Sequence, residues 1–298
     1  MEKRTFGKTG MEVSVLGFGG AEIGYQGVPF EQVKRLLDKA LDAGLNVIDT
    51  AECYRNSEEL IGRAIGKRRQ EYFLFTKCGH ASGLDLPDWD PTMLEQQIDR
   101  SLKRLQTDSV DLVQLHSCSK DLLDKGDVIR VLEKARDAGK TRFIGYSGDG
   151  EDARFAINSG RFDALQTSIN IADQEALRLT LPLAYDRQMG IIAKRPIANA
   201  AWRTGSRPQD AYHQPYWDRL QKLNYEFLKE KLSDSISIAL RFTLASPGVS
   251  TAIVGTTNPE RWAENAKFLE AGALSPEEYE MIRDRWDEVA EPDWAGQT

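Results

Sequence analysis

Cysteine, histidine and long apolar runs are all scarce in this chain of 298 residues, and each scarcity closes off a class of protein. The three cysteines (Cys53, Cys78, Cys118) are an odd number with no CxxC pair. A disulfide framework is therefore not expected, and a reducing, cytoplasmic setting fits. The three histidines (His80, His116, His213) lie far apart without HExxH-type spacing, which disfavours a metal centre. No run of about 20 apolar residues exists to span a membrane. The opening MEKRTFGKTG lacks the apolar core of a secretory signal. Basic residues are also short: 39 Lys and Arg stand against 46 Asp and Glu, a net charge of −7. A nucleic-acid partner is not expected from that balance. The acidic runs are short and interleaved with basic residues, as on a solubilising surface.

What the chain does have is a slow alternation of short apolar runs and amphipathic helices. Val33, Leu36, Leu37, Ala40 and Leu41 form one helical stripe, stopped by Gly44. Leu94, Ile98, Leu102 and Leu105 form another. Eight apolar runs read as strands: Val15–Gly17, Leu45–Asp49, Tyr72–Phe75, Val110–Leu115, Arg142–Ser147, Ala164–Gln166, Gly190–Ala193 and Thr251–Val254. Most are apolar on both faces and followed by a helix, the pattern of a parallel sheet under helices. A rule of about 150 residues per domain suggests two domains. No Pro/Gly/Ser-rich linker divides the chain, however, and eight βα units favour one closed α/β barrel, a (β/α)8 TIM barrel spanning residues 1–298. The chief rival is a doubly wound sheet. Residues 4–13 flank a Gly-bounded turn and predict an N-terminal β-hairpin capping the bottom of the barrel.

In such a barrel the chemistry belongs to the C-terminal ends of the strands. Those ends offer Asp49, with Tyr54 just beyond it, then Lys77, then His116. Singly, each has a bland role: a helix cap, a surface lysine, a core histidine. Jointly they place an acid, a phenol, an amine and an imidazole on one face. A buried lysine needs a counter-charge, which Asp49 can supply. An ammonium beside the phenol is expected to lower its pKa, and an imidazole can orient a carbonyl oxygen beside it.

The residues that carry this set resemble the aldo-keto reductases. Gly44-Leu45-Asn46-Val47-Ile48-Asp49-Thr50-Ala51-Glu52-Cys53-Tyr54 is similar to the family's G-x-N-x-x-D-T-A-x-x-Y segment. Phe75-Thr76-Lys77 and Asp111 to His116 resemble its lysine and histidine strands. Gly139 to Ser147 matches the stretch before its nicotinamide site, and Ile253 to Arg261 with Glu264-Asn265 resembles its adenosine-phosphate loop.

The resemblance implies reduction of aldehydes or ketones to alcohols, with Tyr54 as general acid, Lys77 and Asp49 tuning it, and His116 orienting the substrate. It implies a dinucleotide held by Ser147 and Gln166 at the carboxamide, Gly19 and Gly20 near the ribose, Arg261 at the 2′-phosphate, and Glu264 and Asn265 at the adenine. NADP(H) is the cofactor expected, with NAD(H) left open beside it. The partner implied is a small carbonyl or alcohol, and a monomer is favoured over an oligomer. Gly17-Phe18-Gly19-Gly20-Ala21-Glu22 only imitates a Rossmann fingerprint, because Glu22 stands where its third glycine belongs.

Three departures modify the expectation. Gly148 follows Ser147 where the family has asparagine. Lys194-Arg195-Pro196 replaces a stacking aromatic, so the stems stack or the two charges meet the pyrophosphate. Gly255 replaces a lysine, leaving selectivity to Arg261 with Thr256 and Thr257. The connection over residues 195–235 is expected to act as a lid on cofactor or substrate. Trp89 and Trp202 are expected to line the substrate pocket. The functional rival is a non-catalytic, cofactor-binding regulatory subunit of the same fold.

Overall fold

The computed structural model describes residues 1–297. Its strands are β1 (Lys3–Thr5), β2 (Glu12–Ser14), β3 (Leu16–Gly19), β4 (Val47–Asp49) and β5 (Phe73–Cys78), followed by β6 (Val110–His116), β7 (Thr141–Ser147), β8 (Ala164–Ser168), β9 (Gly190–Lys194) and β10 (Val249–Gly255). Strands β3 to β10 close into a barrel of eight, every neighbouring pair parallel, with β10 returning to β3. All eight strands expected from the apolar runs are present, and the doubly wound alternative is excluded by closure.

The helices follow their stripes. In the helix Phe30–Asp42 the buried residues are Val33, Leu36, Leu37, Ala40 and Leu41, the stripe expected. The helix Pro91–Leu105 starts on Asp90, whose carboxylate accepts from the backbone N–H of Thr92 and Met93, with proline at the first turn. A cap of that kind contributes about 1 kcal/mol.

The hairpin β1–β2 is antiparallel and turns through Gly7–Thr9. It inserts Phe6, Met11 and Val13 among Val47, Phe75 and Ile192 at the base of the barrel. Phe6 stacks on Phe75 with ring centroids 5.5 Å apart. A Cβ at position 190 would collide with the Phe6 ring, so glycine there makes room for the plug. The barrel is thereby sealed at its base and open only at the strand ends that carry polar residues.

The connection after β9 folds into short turns, a helix over Gln214–Leu223 and a helix over Leu232–Ala245. Its aromatics mostly pack. Trp202, Tyr216, Tyr225 and Phe242 join Trp286 of the helix Pro276–Val289 in a second apolar cluster beside the barrel, with Trp217 partly buried against it. Trp202 sits inside this cluster, its indole N–H donating to Ser235 Oγ at 2.9 Å. Burial there satisfies both the apolar ring and its N–H.

Candidate active site

The ends of β4, β5 and β6 converge as the parallel register requires. Lys77 lies opposite Gln114, and Asp49 opposite Phe75. Lys77 Nζ donates to Asp49 Oδ2 at 2.5 Å and to the Thr50 carbonyl at 2.9 Å. Both side chains are 2% exposed. Removing two charges from water at this depth is costly, and only the mutual contact and the added hydrogen bonds offset it. The Gln114 amide donates to the other oxygen of Asp49 at 3.4 Å. Tyr54 stands over this pair, with its ring centroid 5.4 Å from Lys77 Nζ and 5.7 Å from the His116 ring, which it meets edge-on. The four residues read from the strand ends therefore form one group.

Its electrostatics differ from expectation in one respect. Burial, and then the Asp49 carboxylate, push the Tyr54 phenol well above its ordinary range. These two influences outweigh the pull of the Lys77 ammonium, which is held against Asp49 and the Thr50 carbonyl. Burial, followed by the Lys77 ammonium, holds the His116 imidazole well below its usual value, so the ring is neutral at pH 7. The group thus offers a protonated phenol and a neutral imidazole side by side.

Beneath it lies a clamp that the motif reading passed over. Glu52 is fully buried, accepts from Arg104 Nη1 at 2.8 Å and is paired with Arg100. The Gln97 amide reaches the same carboxylate at 3.0 Å. Nearby, Glu58 accepts from Thr76 Oγ1 at 2.7 Å, and burial pushes its carboxyl up to about 7. The available signal was the i, i+4 arginine pair Arg100 and Arg104 on a helix that follows the lysine strand.

Across the mouth, His116, Ser147 and Gln166 occupy one level of the barrel, paired in register through β6, β7 and β8. Ser147 is buried, and neither amide atom of Gln166 meets a protein partner. An orphaned donor and acceptor on one buried amide suit a ligand carboxamide, which presents the complementary pair. Gly148 is explained by its neighbour: a Cβ there would lie 2.6 Å from the Tyr146 hydroxyl, which donates to the Cys118 carbonyl. The tyrosine takes the volume the family's asparagine would need.

Lys194 and Arg195 are engaged within the protein. Lys194 Nζ lies 2.8 Å from Asp149 Oδ2, and Asp149 Oδ1 also accepts from Thr167 Oγ1 at 2.7 Å. Burial opposes the charge on Asp149, yet the Lys194 ammonium holds its carboxyl below the ordinary value. Arg195 donates to Ser168 Oγ, the Tyr212 hydroxyl and the Gln297 carbonyl. Pro196 is buried, its carbonyl accepting from Thr243. Beyond it Ala198, Asn199 and Ala200 all have φ between 44° and 54°. Left-handed non-glycine residues cost about 1–2 kcal/mol each.

On the far side, Gly19 pairs with Gly255, and Gly20 donates its N–H to the Asp49 carbonyl at 2.8 Å. The open space over Gly255 is taken by the Glu22 carboxyl. Arg261 Nη1 lies 3.2 Å from Glu264 on the surface, while Asn265 is buried with its amide nitrogen orphaned. Thr256 Oγ1 accepts from the Asn258 N–H, and the backbone carbonyl of Thr257 accepts from the Gln32 amide on the helix Phe30–Asp42.

A sequence model of the Aldo/keto reductase family matches residues 15–287. The chain belongs to the aldo/keto reductase family. Among solved structures it is similar to the aldo-keto reductase AKR11C1 from Bacillus halodurans in its holo form, with a TM-score of 0.84 and 25% identity over 99% of each chain. It is 27% identical to the uncharacterized oxidoreductase YqkF of Bacillus subtilis, covering 95% of this chain and 96% of that protein. It is 28% identical to the L-galactose dehydrogenase of Arabidopsis thaliana, covering 89% and 87% respectively.

In this aldo/keto reductase a narrow cleft reaches the group, lined by Cys53, Lys77, His80, Gln97 and His116 among others. Trp89 edges His80, which in turn edges His116, with centroid distances of 5.5 and 5.4 Å. Trp89 is thus brought to the pocket side, unlike Trp202. Among the described residues no cluster of three His, Cys, Asp or Glu side chains is arranged to hold a metal, and no helix is long and apolar enough to cross a membrane.

Proposed function

We propose that this oxidoreductase reduces aldehydes or ketones to alcohols with NADP(H), Tyr54 supplying the proton. The observation that carries the reading is the buried Asp49–Lys77 pair beneath Tyr54, with the neutral His116 ring edge-on beside it. Bound NADPH supplies the hydride. Ser147 and the orphaned amide of Gln166 would hold its carboxamide, and Arg261, Glu264 and the orphaned amide of Asn265 its adenosine end. Gly19 and Gly20 leave room near the ribose.

The protein's part of the chemistry follows from the geometry. His116 donates a hydrogen bond to the carbonyl oxygen and turns it toward Tyr54. The phenol, kept protonated by burial, gives up its proton as negative charge develops on that oxygen. The resulting phenolate lies over Lys77, whose ammonium stabilises it at that moment and not before. The connection over residues 195–235 serves as the lid, its Tyr212 lying near enough to Tyr54 to act on the phenol's charge. A hydroxylated carbonyl suits this mouth, as the sugar substrate named for the L-galactose dehydrogenase suggests.

The test is NADPH oxidation with a panel of reactive aldehydes. Tyr54→Phe should lower kcat by about 10²–10⁴-fold, the usual worth of a positioned proton donor. No turnover by the wild-type protein on any aldehyde, or an unaffected variant, rejects the reading.

A further inference from the structure

The residue just before the proton donor is held as firmly as the donor itself. Cys53 follows the clamped Glu52, whose own N–H donates to the Lys77 carbonyl at 3.0 Å. The carbonyl of Cys53 accepts from the Tyr25 hydroxyl at 3.2 Å. With the backbone fixed from both sides, the thiol comes to rest 3.5 Å from Nδ1 of His116. Among the described residues no other group hydrogen-bonds that ring, and Nε2 meets no protein partner.

Two arrangements of the proton are open to this contact. Either the ring N–H donates to sulfur, or the thiol donates to the ring. Sulfur is a weak acceptor, whereas a bare imidazole nitrogen is a good one, so the second arrangement is favoured. Both groups are in the state it needs. Burial pushes the Cys53 thiol up to about 11, and the imidazole stays neutral.

We propose that Cys53 is a positioning residue, its thiol donating to Nδ1 of His116 and so keeping the ring proton on Nε2, the nitrogen left free for the substrate carbonyl. The proposal rests on the carbonyl-reductase reading for its purpose, though not for its existence. A neutral imidazole carries one proton, and which nitrogen bears it is set by the partner of the other. With the proton on Nδ1, Nε2 would present a lone pair to the carbonyl oxygen and repel it. The thiol contributes by excluding that state, with no covalent or redox step of its own.

Ring-nitrogen NMR on 15N-histidine-labelled protein reads the tautomer directly. Only three histidines need assignment, His116 being the one lost in His116→Gln. At neutral pH the wild-type ring should show a protonated Nε2 and a bare, hydrogen-bonded Nδ1. In Cys53→Ala the Nδ1 signal should move. There kcat for aldehyde reduction should fall about fivefold, more than KM changes, as for one lost hydrogen bond of about 1 kcal/mol. Cys53→Ser, which keeps a donor, should recover most of the loss. A wild-type ring protonated on Nδ1 overturns the proposal, as does an Nδ1 signal unmoved in Cys53→Ala. The spectra require no turnover, so they decide the tautomer even if the reductase reading itself fails.

Discussion

The two sides of the barrel mouth are finished to different degrees. On the side built from β4, β5 and β6, polar groups are paired within the protein: Asp49 with Lys77, Glu52 with two arginines, and the His116 Nδ1 with a thiol. On the side built from β7 to β10, buried polar atoms are left over. Thirteen buried side-chain nitrogens and oxygens among the described residues lack a partner, and ten of them lie beyond residue 150. An orphaned buried polar atom costs about 1–3 kcal/mol. Three of those ten belong to Gln166 and Asn265, the residues proposed to hold the two ends of the cofactor. The group around Asp49 and Lys77 is assembled by the fold, while the amides of Gln166 and Asn265 keep unpartnered atoms that a bound dinucleotide would satisfy under the proposed function.

The sharpest way to break this contrast is to unpair the finished side. Lys77→Met strands the Asp49 carboxylate, and urea unfolding should show a loss of about 3–5 kcal/mol. Restoring much of it with Asp49→Asn in the same chain would confirm the cause, and a loss below about 1 kcal/mol would refute it.

Glu58 tests the same side through pH. Its carboxyl, raised by burial to about 7 from an ordinary 4.5, keeps a proton that the unfolded chain has already released between those values. The folded state binds more protons there, so stability from this group is full below pH 4.5 and is lost as pH rises to 7. The loss is about 3 kcal/mol. Glu58→Gln should flatten that slope and match or exceed the wild type at pH 8. An unchanged slope between pH 4.5 and 7 would place the proton elsewhere.

The unfinished side should respond to ligand instead. NADPH at 100 times its Kd should stabilise the protein by about 2.7 kcal/mol. Gln166→Leu should leave the melting temperature of the free protein unchanged or higher, since it deletes two orphaned atoms, yet weaken NADPH binding. A free protein destabilised like a core deletion would erase the distinction between the two sides. The smallest effect concerns selectivity. Arg261→Ala should reduce the preference for NADPH over NADH about tenfold, measured by fluorescence quenching, because an exposed guanidinium contributes about 1.4 kcal/mol toward a phosphate. A preference that survives the change would move the role to another residue.

The barrel and the four reactive residues were legible from the chain because both are written locally. An apolar run followed by a helical stripe defines each βα unit, and a strand end is one position past the run. Pairings between strands are not local. That Lys194 would turn to Asp149, 45 positions earlier, depends on β7, β8 and β9 meeting side by side. Trp202 looked like pocket lining because the stripe it joins is shared among helices distant in sequence. Burial of Tyr54 and the Asp49 carboxylate beside it, which push its phenol up, were hidden for a related reason. The lysine was visible, but its contacts with Asp49 at 2.5 Å and the Thr50 carbonyl at 2.9 Å were not.

Closure of the barrel has a consequence for how the chain is made. Residues 16–19 pair with residues 252–255, so the first barrel strand has no permanent neighbour on one edge until nearly the whole polypeptide exists. At about 5–20 residues per second, translation leaves that edge open for roughly 12–50 s. Throughout that interval the nascent sheet offers unsatisfied amides and carbonyls to any other extended chain. Synthesis at lower temperature or with chaperones that shield strand edges should raise the yield of folded protein, independently of the stability of the finished molecule.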